Sequence, residues 1–156
     1  MRKIRILCVG KKLESYLKTG IEIYRKKLQR YCQFDMSLLK EADYSKGSIQ
    51  QWQIKEQREI ENRLKSQTFI IACDETGTHL TSAQFADQLE KVAGQGYSRI
   101  DFIIGGPYGL PPEIKKQANM VFSMSLMTLT HQMARLILIE QIYRAFTIIN
   151  GEKYHH

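Results

Sequence analysis

No CxxC pair occurs in this chain, and its three cysteines, Cys8, Cys32 and Cys73, are odd in number and far apart. That excludes a disulfide framework and offers no zinc-ligand spacing. The thiols are expected instead as small buried apolar groups in a reducing compartment. No apolar run approaches the 18 or so residues of a membrane-spanning helix. Near the start, Ile6–Val9 is too short for the core of a signal peptide, although basic residues precede it. The expected location is therefore cytoplasmic, with no membrane partner and no metal. Internal repeats and low-complexity tracts are also lacking.

Acid is scarce at the beginning. Residues 1–30 hold ten Lys and Arg but only Glu14 and Glu22, so they carry +8 of a total +7, and the remainder is close to neutral. A basic field confined to one strand and one helix suits contact with a phosphate backbone, which is electrostatic and indifferent to sequence. It equally describes a solvated helix face that keeps a protein soluble. At 156 residues, 43% hydrophobic and 25% charged, the composition is that of an ordinary globular protein, expected as a single domain over 1–156.

The pattern alternates β-rich runs with amphipathic helical ones. Ile4–Val9 reads as a strand stopped by Gly10, and Leu13, Leu17, Ile21, Tyr24 and Leu28 form a helical stripe opposite the basic residues. Phe34–Leu39 reads as a second strand. Ala42–Ser48 reads as the loop most apt to move, and Ile49–Leu64 as a charged helix. Thr68–Cys73 is a third strand, with Asp74-Glu75-Thr76-Gly77 as a turn. Thr81 or Ser82 caps a helix carrying Phe85, Leu89 and Val92.

Ile100–Ile104 is a strand apolar on both faces, which predicts a mostly parallel sheet with helices on both sides. A glycine loop follows, then a short helix from Glu113, a strand Val121–Met124, and a long helix Gln132–Ile149. That helix is apolar on most of its circumference and must be buried. A second copy of the chain covers one of its faces most easily, so a homodimer is expected.

Four features are candidates for chemistry. The loop Gly105-Gly106-Pro107-Tyr108-Gly109 stands at the carboxyl end of a strand, where open α/β sheets bind ligands. It is neither GxGxxG nor a P-loop, and no Lys or Arg lies between Ile100 and Ile114, so it suits a neutral or cationic ligand better than a polyphosphate. Without context, a tight turn explains it as well. Met124, Ser125, Leu126, Met127, Thr128 and Leu129 form an uncharged stretch, either a strand extension or an apolar pocket with polar anchors. His131 and Arg135, four apart, share a helix face in either a structural or a functional role. The tail Tyr154-His155-His156 is either loose, as termini are, or an aromatic beside imidazoles that can stack on a base and handle a proton.

Together these pieces resemble the large-subunit (23S) ribosomal RNA pseudouridine N3-methyltransferases, minimal members of the SPOUT (α/β-knot) superfamily. The likeness rests on Ile103-Ile104-Gly105-Gly106-x-x-Gly109, Ser123–Leu129 followed by Thr130-His131-Gln132-Met133-x-Arg135, Glu140-Gln141-x-Tyr143-Arg144-Ala145, and the closing Tyr154-His155. It extends over nearly the whole chain. It implies a SPOUT-type α/β fold with a C-terminal trefoil knot, a homodimer, and S-adenosyl-L-methionine held by Cys73, Gly105 and Met124 through Leu129. Where the family commonly has an aliphatic residue, Cys73 stands here. His156 stands where Arg or Lys usually follows Tyr-His.

The implied reaction is methylation of N3 of a pseudouridine on the assembled ribosome. His155, or else His131, would assist proton removal, while Arg135 and Tyr154 orient the base. The basic first thirty residues would grip RNA. Two alternatives are a SPOUT methyltransferase for another RNA nucleotide and a non-catalytic ribosome-binding protein of the same fold. The glycine spacing argues against a dehydrogenase.

Overall fold

The computed structural model describes residues 2–155. His156, singled out above, lies outside them. Five strands form one sheet in the order β2-β1-β4-β3-β5, every neighbouring pair parallel. They are β1 (Arg2–Val9), β2 (Cys32–Leu39), β3 (Thr68–His79), β4 (Arg99–Ile104) and β5 (Met120–Ser123). The helices are α1 (Ser15–Leu28), α2 (Ile49–Glu61), α3 (Ser82–Ala93), α4 (Pro112–Gln117) and α5 (His131–Ile149), with a 3-10 turn at Lys153–His155.

Alternation along β1 sets the layers. Ile4, Ile6 and Cys8 face a core shared with α1, α3 and α5, whereas Leu7 and Val9 face a second core with Ile60 of α2 and Ile114 of α4. Helices thus cover both sides, as strands apolar on both faces require. The segment from β5 to α5 leaves the sheet at its β5 edge and leads to α1 and α3, against which α5 packs. That connection is where the resemblance places the knot. Among the described residues, no helix is long and apolar enough to cross a membrane, and no group of three or more metal-ligating side chains gathers.

Three expectations need correction. Asp74–Gly77 is not a turn: β3 bulges between Cys73 and Thr78 and resumes pairing with β5 through Thr78 and His79. Gly77 permits this, since a Cβ there would come within 2.6 Å of the Val121 carbonyl carbon.

The loop 42–48 is tied down rather than loose. Buried Glu56 accepts the Ala42 N–H at 3.0 Å and the Tyr44 hydroxyl at 2.6 Å. Ser48 and Gln51 close a capping box at the start of α2.

The basic field also loses a member. Arg5 is buried against Asp101, its register partner on β4, and donates to the Arg63 carbonyl. Lys3, Lys11, Lys12, Lys18, Lys26, Lys27 and Arg30 remain exposed.

Candidate active site

At the carboxyl ends of β4 and β5, beside the bulge of β3, lies a cavity of about 900 Å³, within the range of small-molecule sites. The glycine loop forms one wall. Gly109 turns with φ +82° and donates its N–H to the Gly106 carbonyl at 3.0 Å, a conformation that favours glycine. Gly105 is packed backbone to backbone, since a Cβ there would stand 2.7 Å from the carbonyl carbon of Gly109 and from the Leu110 nitrogen. The segment after β5 forms the opposite wall. It is shaped by serine: Ser123 Oγ donates to the Ser125 carbonyl at 3.0 Å, and Ser125 Oγ accepts the Met127 N–H at 2.9 Å.

Cys73, Gly105, Met124, Ser125, Met127, Thr128 and Leu129 all line this cavity. Leu126 does not; its side chain is 85% exposed. Burial pushes the Cys73 thiol well above its ordinary range, with Cys8 beside it adding to the effect.

His131 is on the wall as well. Burial and then the neighbouring Arg135 lower its pKa, while Glu41 opposes them. Its imidazole therefore holds the neutral, proton-accepting form to lower pH than a free histidine does.

Sequence reasoning missed the charge of the cavity. Glu14, Asp74 and Glu75 line it, and no Lys or Arg does. Asp74 and Glu75 directly follow Cys73, where the pairing of β3 with β4 ends beside the carboxyl end of β4, a position that marks them as site residues once they are not read as a turn. Lys115 approaches Asp74 at 3.6 Å from α4, and Thr128 approaches Glu75 at 3.4 Å.

Arg135 faces away from the cavity wall. It is fully buried, donating from Nη1 to the Lys12 carbonyl at 2.9 Å and from Nη2 to the Val9 and Gly10 carbonyls at 3.1 and 3.0 Å. It thus clamps the turn from β1 into α1, next to His131. Arg135→Ala would strip three carbonyls of a charged donor, and the unfolding free energy is expected to fall by about 2–5 kcal/mol in denaturant titration.

The tail sits elsewhere. Tyr154 donates to Glu140 Oε1 at 3.0 Å and lies 3.3 Å, hydroxyl to hydroxyl, from Tyr24. Its ring meets Tyr143 edge-on at 4.8 Å, with the Arg144 guanidinium 4.8 Å above it. Burial and these hydrogen bonds push the phenol's pKa up, so it remains a neutral donor. His155 Nδ1 is 3.4 Å from Arg144 Nη1. Glu152 anchors the tail on Tyr31 and Arg30. Arg144 and His131 stand thirteen residues apart on one helix, which places them about 20 Å apart along its axis. The chain therefore does not bring its own tail to its own cavity.

Residues 2–155 match the family described as "Predicted SPOUT methyltransferase". Two proteins, each called ribosomal RNA large subunit methyltransferase H, are 45% identical over 157 residues. They come from Streptococcus pyogenes serotype M12 (strain MGAS2096) and serotype M49 (strain NZ131), and the match covers 98% of this chain and 99% of each relative. A solved structure of a probable methylase family protein from Haemophilus influenzae Rd KW20 superposes with a TM-score of 0.56. It is 13% identical and covers 97% of this chain and 69% of that one, a likeness of fold. A methylase-like fold, a cavity at the strand ends and a family match over 2–155 lead to one conclusion: this chain belongs to the SPOUT methyltransferase family.

Proposed function

We propose that the protein is a homodimer that transfers a methyl group from S-adenosylmethionine to N3 of a pseudouridine in large-subunit ribosomal RNA. Its substrate would be the assembled ribosome. The observation that carries this reading is the cavity's lining, which holds Glu14, Asp74 and Glu75 and no Lys or Arg, while Lys12 and Lys115 pair with Glu14 and Asp74 from outside it. Such a lining attracts a sulfonium and repels polyphosphates. Residues of the cavity fit that cofactor chemically. Gly105 lets the glycine loop close on itself as a wall, Met124, Met127 and Leu129 offer apolar surface, and Ser125 and Thr128 offer polar anchors.

When bound, S-adenosylmethionine supplies an electrophilic methyl group. The protein's residues must hold the acceptor nitrogen in line and remove its proton, and positioning supplies much of the rate. In this reading the N3 proton passes to the imidazole of His155, with His131 as the alternative acceptor already on the wall. Tyr154 orients the base through its neutral hydroxyl. Arg135 acts at one remove, fixing the turn that carries Glu14 and Tyr16 to the cavity. The tail meets α5 at Glu140 and Arg144, nine and thirteen residues beyond His131 and so roughly 13 to 20 Å along the helix axis, and the tail of one protomer would serve the cavity of the other.

Features of the surface support a dimer. No residue of α5 is fully exposed apart from its cap, yet Met133, Leu136, Ile137, Ile148 and Ile149 are only half-buried within one chain. Leu126 and Met127, 85% and 77% exposed, lie beside the cavity.

The test is methylation of ribosomes from cells lacking the enzyme, with labelled cofactor and mapping of the product. One labelled position in large-subunit RNA is expected, lost when that uridine is not isomerised. Label at another nucleotide, or none, overturns the assignment.

Exposed lysines of α1 would supply RNA backbone contact. Lys27 lies over the Tyr24, Tyr143 and Tyr154 rings and Arg30 pairs with Glu152, so both also hold the tail. Lys18 and Lys26 probe charge more cleanly. Replacing both by Glu is expected to weaken ribosome binding about tenfold or more and to flatten its dependence on salt. Filter binding across a salt series checks this.

A further inference from the structure

The glycine loop meets the loop 40–48 in a cluster of three aromatic rings. Tyr108, on the cavity wall, is 46% exposed. Its ring centroid lies 4.9 Å from Tyr44 and 4.8 Å from Trp52, and those two are 5.2 Å apart, nearly edge-on. Both backing rings are fixed at their polar ends. Tyr44 donates to Glu56, which is 2% exposed, and Trp52 Nε1 donates to the Lys46 carbonyl at 2.6 Å.

A carboxylate taken out of water is costly unless donors converge on it. Here Tyr44 and the Ala42 N–H do so. Beneath them Gly106 packs so closely that a Cβ would stand 2.8 Å from the Tyr44 hydroxyl. The glycine loop, α2 and the intervening loop are thereby braced together, leaving one ring at the cavity.

A cavity without Lys or Arg cannot grip a nucleotide by charge. The groups left to hold a base are backbone polar atoms and π-faces, and stacking on aromatic side chains is a principal mode of single-strand recognition. Of the two tyrosines lining the cavity, Tyr16 is 66% exposed and makes no ring contact among the described residues, whereas Tyr108 is backed by two. A braced ring loses less freedom on binding.

Resting on the proposed reaction, we infer that Tyr108 stacks on the substrate base, with Tyr44, Trp52 and Glu56 as its positioning residues. Tyr108→Ala is expected to raise KM for ribosomes about tenfold or more. Calorimetric affinity for S-adenosylmethionine should stay within about twofold of wild type, and Tyr108→Phe should restore KM. Tyr44→Ala should raise KM less, again without touching cofactor affinity.

Trp52 is the only tryptophan, so its emission reports on the cluster without any turnover. Titration with pseudouridine monophosphate should change that emission in wild type and Tyr108→Phe but not in Tyr108→Ala. An unchanged KM in Tyr108→Ala, an equal loss of cofactor affinity, or no emission change in wild type each overturns the inference. Failure of wild-type methyl transfer instead overturns the proposed function, which the emission arm does not depend on.

Discussion

Replacing His155 with alanine is expected to lower kcat by about a hundredfold or more, while calorimetric affinity for S-adenosylmethionine stays at the wild-type level. His155 lies against Arg144 and is absent from the lining of its own chain's cavity, so removing the imidazole leaves the residues of that lining untouched. The same separation makes a stronger experiment possible. In a symmetric dimer that pairs each cavity with the other protomer's tail, mixing His155→Ala chains with chains defective in the cavity rebuilds one complete site per heterodimer. Random mixing then recovers about a quarter of wild-type activity. If each tail served its own cavity, mixing would recover nothing, and the crossed arrangement would fall. An unchanged kcat in the single variant would remove His155 from the reaction and leave His131 as the proton acceptor.

Gly105→Ala is the natural cavity-defective partner. Its methyl group would stand 2.7 Å from backbone atoms of Gly109 and Leu110, which cannot rotate away as a side chain would. The glycine loop must shift as a unit, and overpacking of this sort costs about 1–3 kcal/mol. Because that loop is a wall of the cavity, cofactor affinity is expected to fall by well over tenfold. Gly96→Ala supplies the control. Gly96 has φ +82°, but a Cβ there would meet nothing within 4 Å, so that change strains only the local backbone and costs about 1 kcal/mol. Calorimetry on both variants separates the effects: equal losses of affinity would show that the glycine loop is not part of the cofactor site.

Most of the fold was legible because its physics is local. Apolar pairs of faces on β1 and β4, stripes at helical spacing on α1 and α3, and an α5 apolar nearly all round identify a covered parallel sheet without tertiary information. The misreading at Asp74–Gly77 arose because those residue types do favour turns. Only the backbone of β5 lying against Gly77 keeps them in a strand. Likewise, nothing in the run Ala42–Ser48 announces that a carboxylate fourteen residues beyond Ala42 will tie it down.

In the candidate site, contiguous segments were readable and convergent ones were not. Glu14 joins Asp74 and Glu75 only because α1 starts beside the ends of β3 and β4. Arg135 carries a full positive charge, yet its guanidinium is directed to three carbonyls of the β1–α1 turn. Spacing along α5 placed it with His131 on one face but could not say which way that face was turned.

Cys73 stands on the wall of a cavity read here as holding a methyl donor. A thiolate in that position would be the most nucleophilic atom within reach of the electrophile, and the enzyme would alkylate itself. Burial keeps the proton on this sulfur at neutral pH, and a protonated thiol is a poor nucleophile. A protonated Cys73 would stand beside a methyl donor as passively as the aliphatic side chain it replaces.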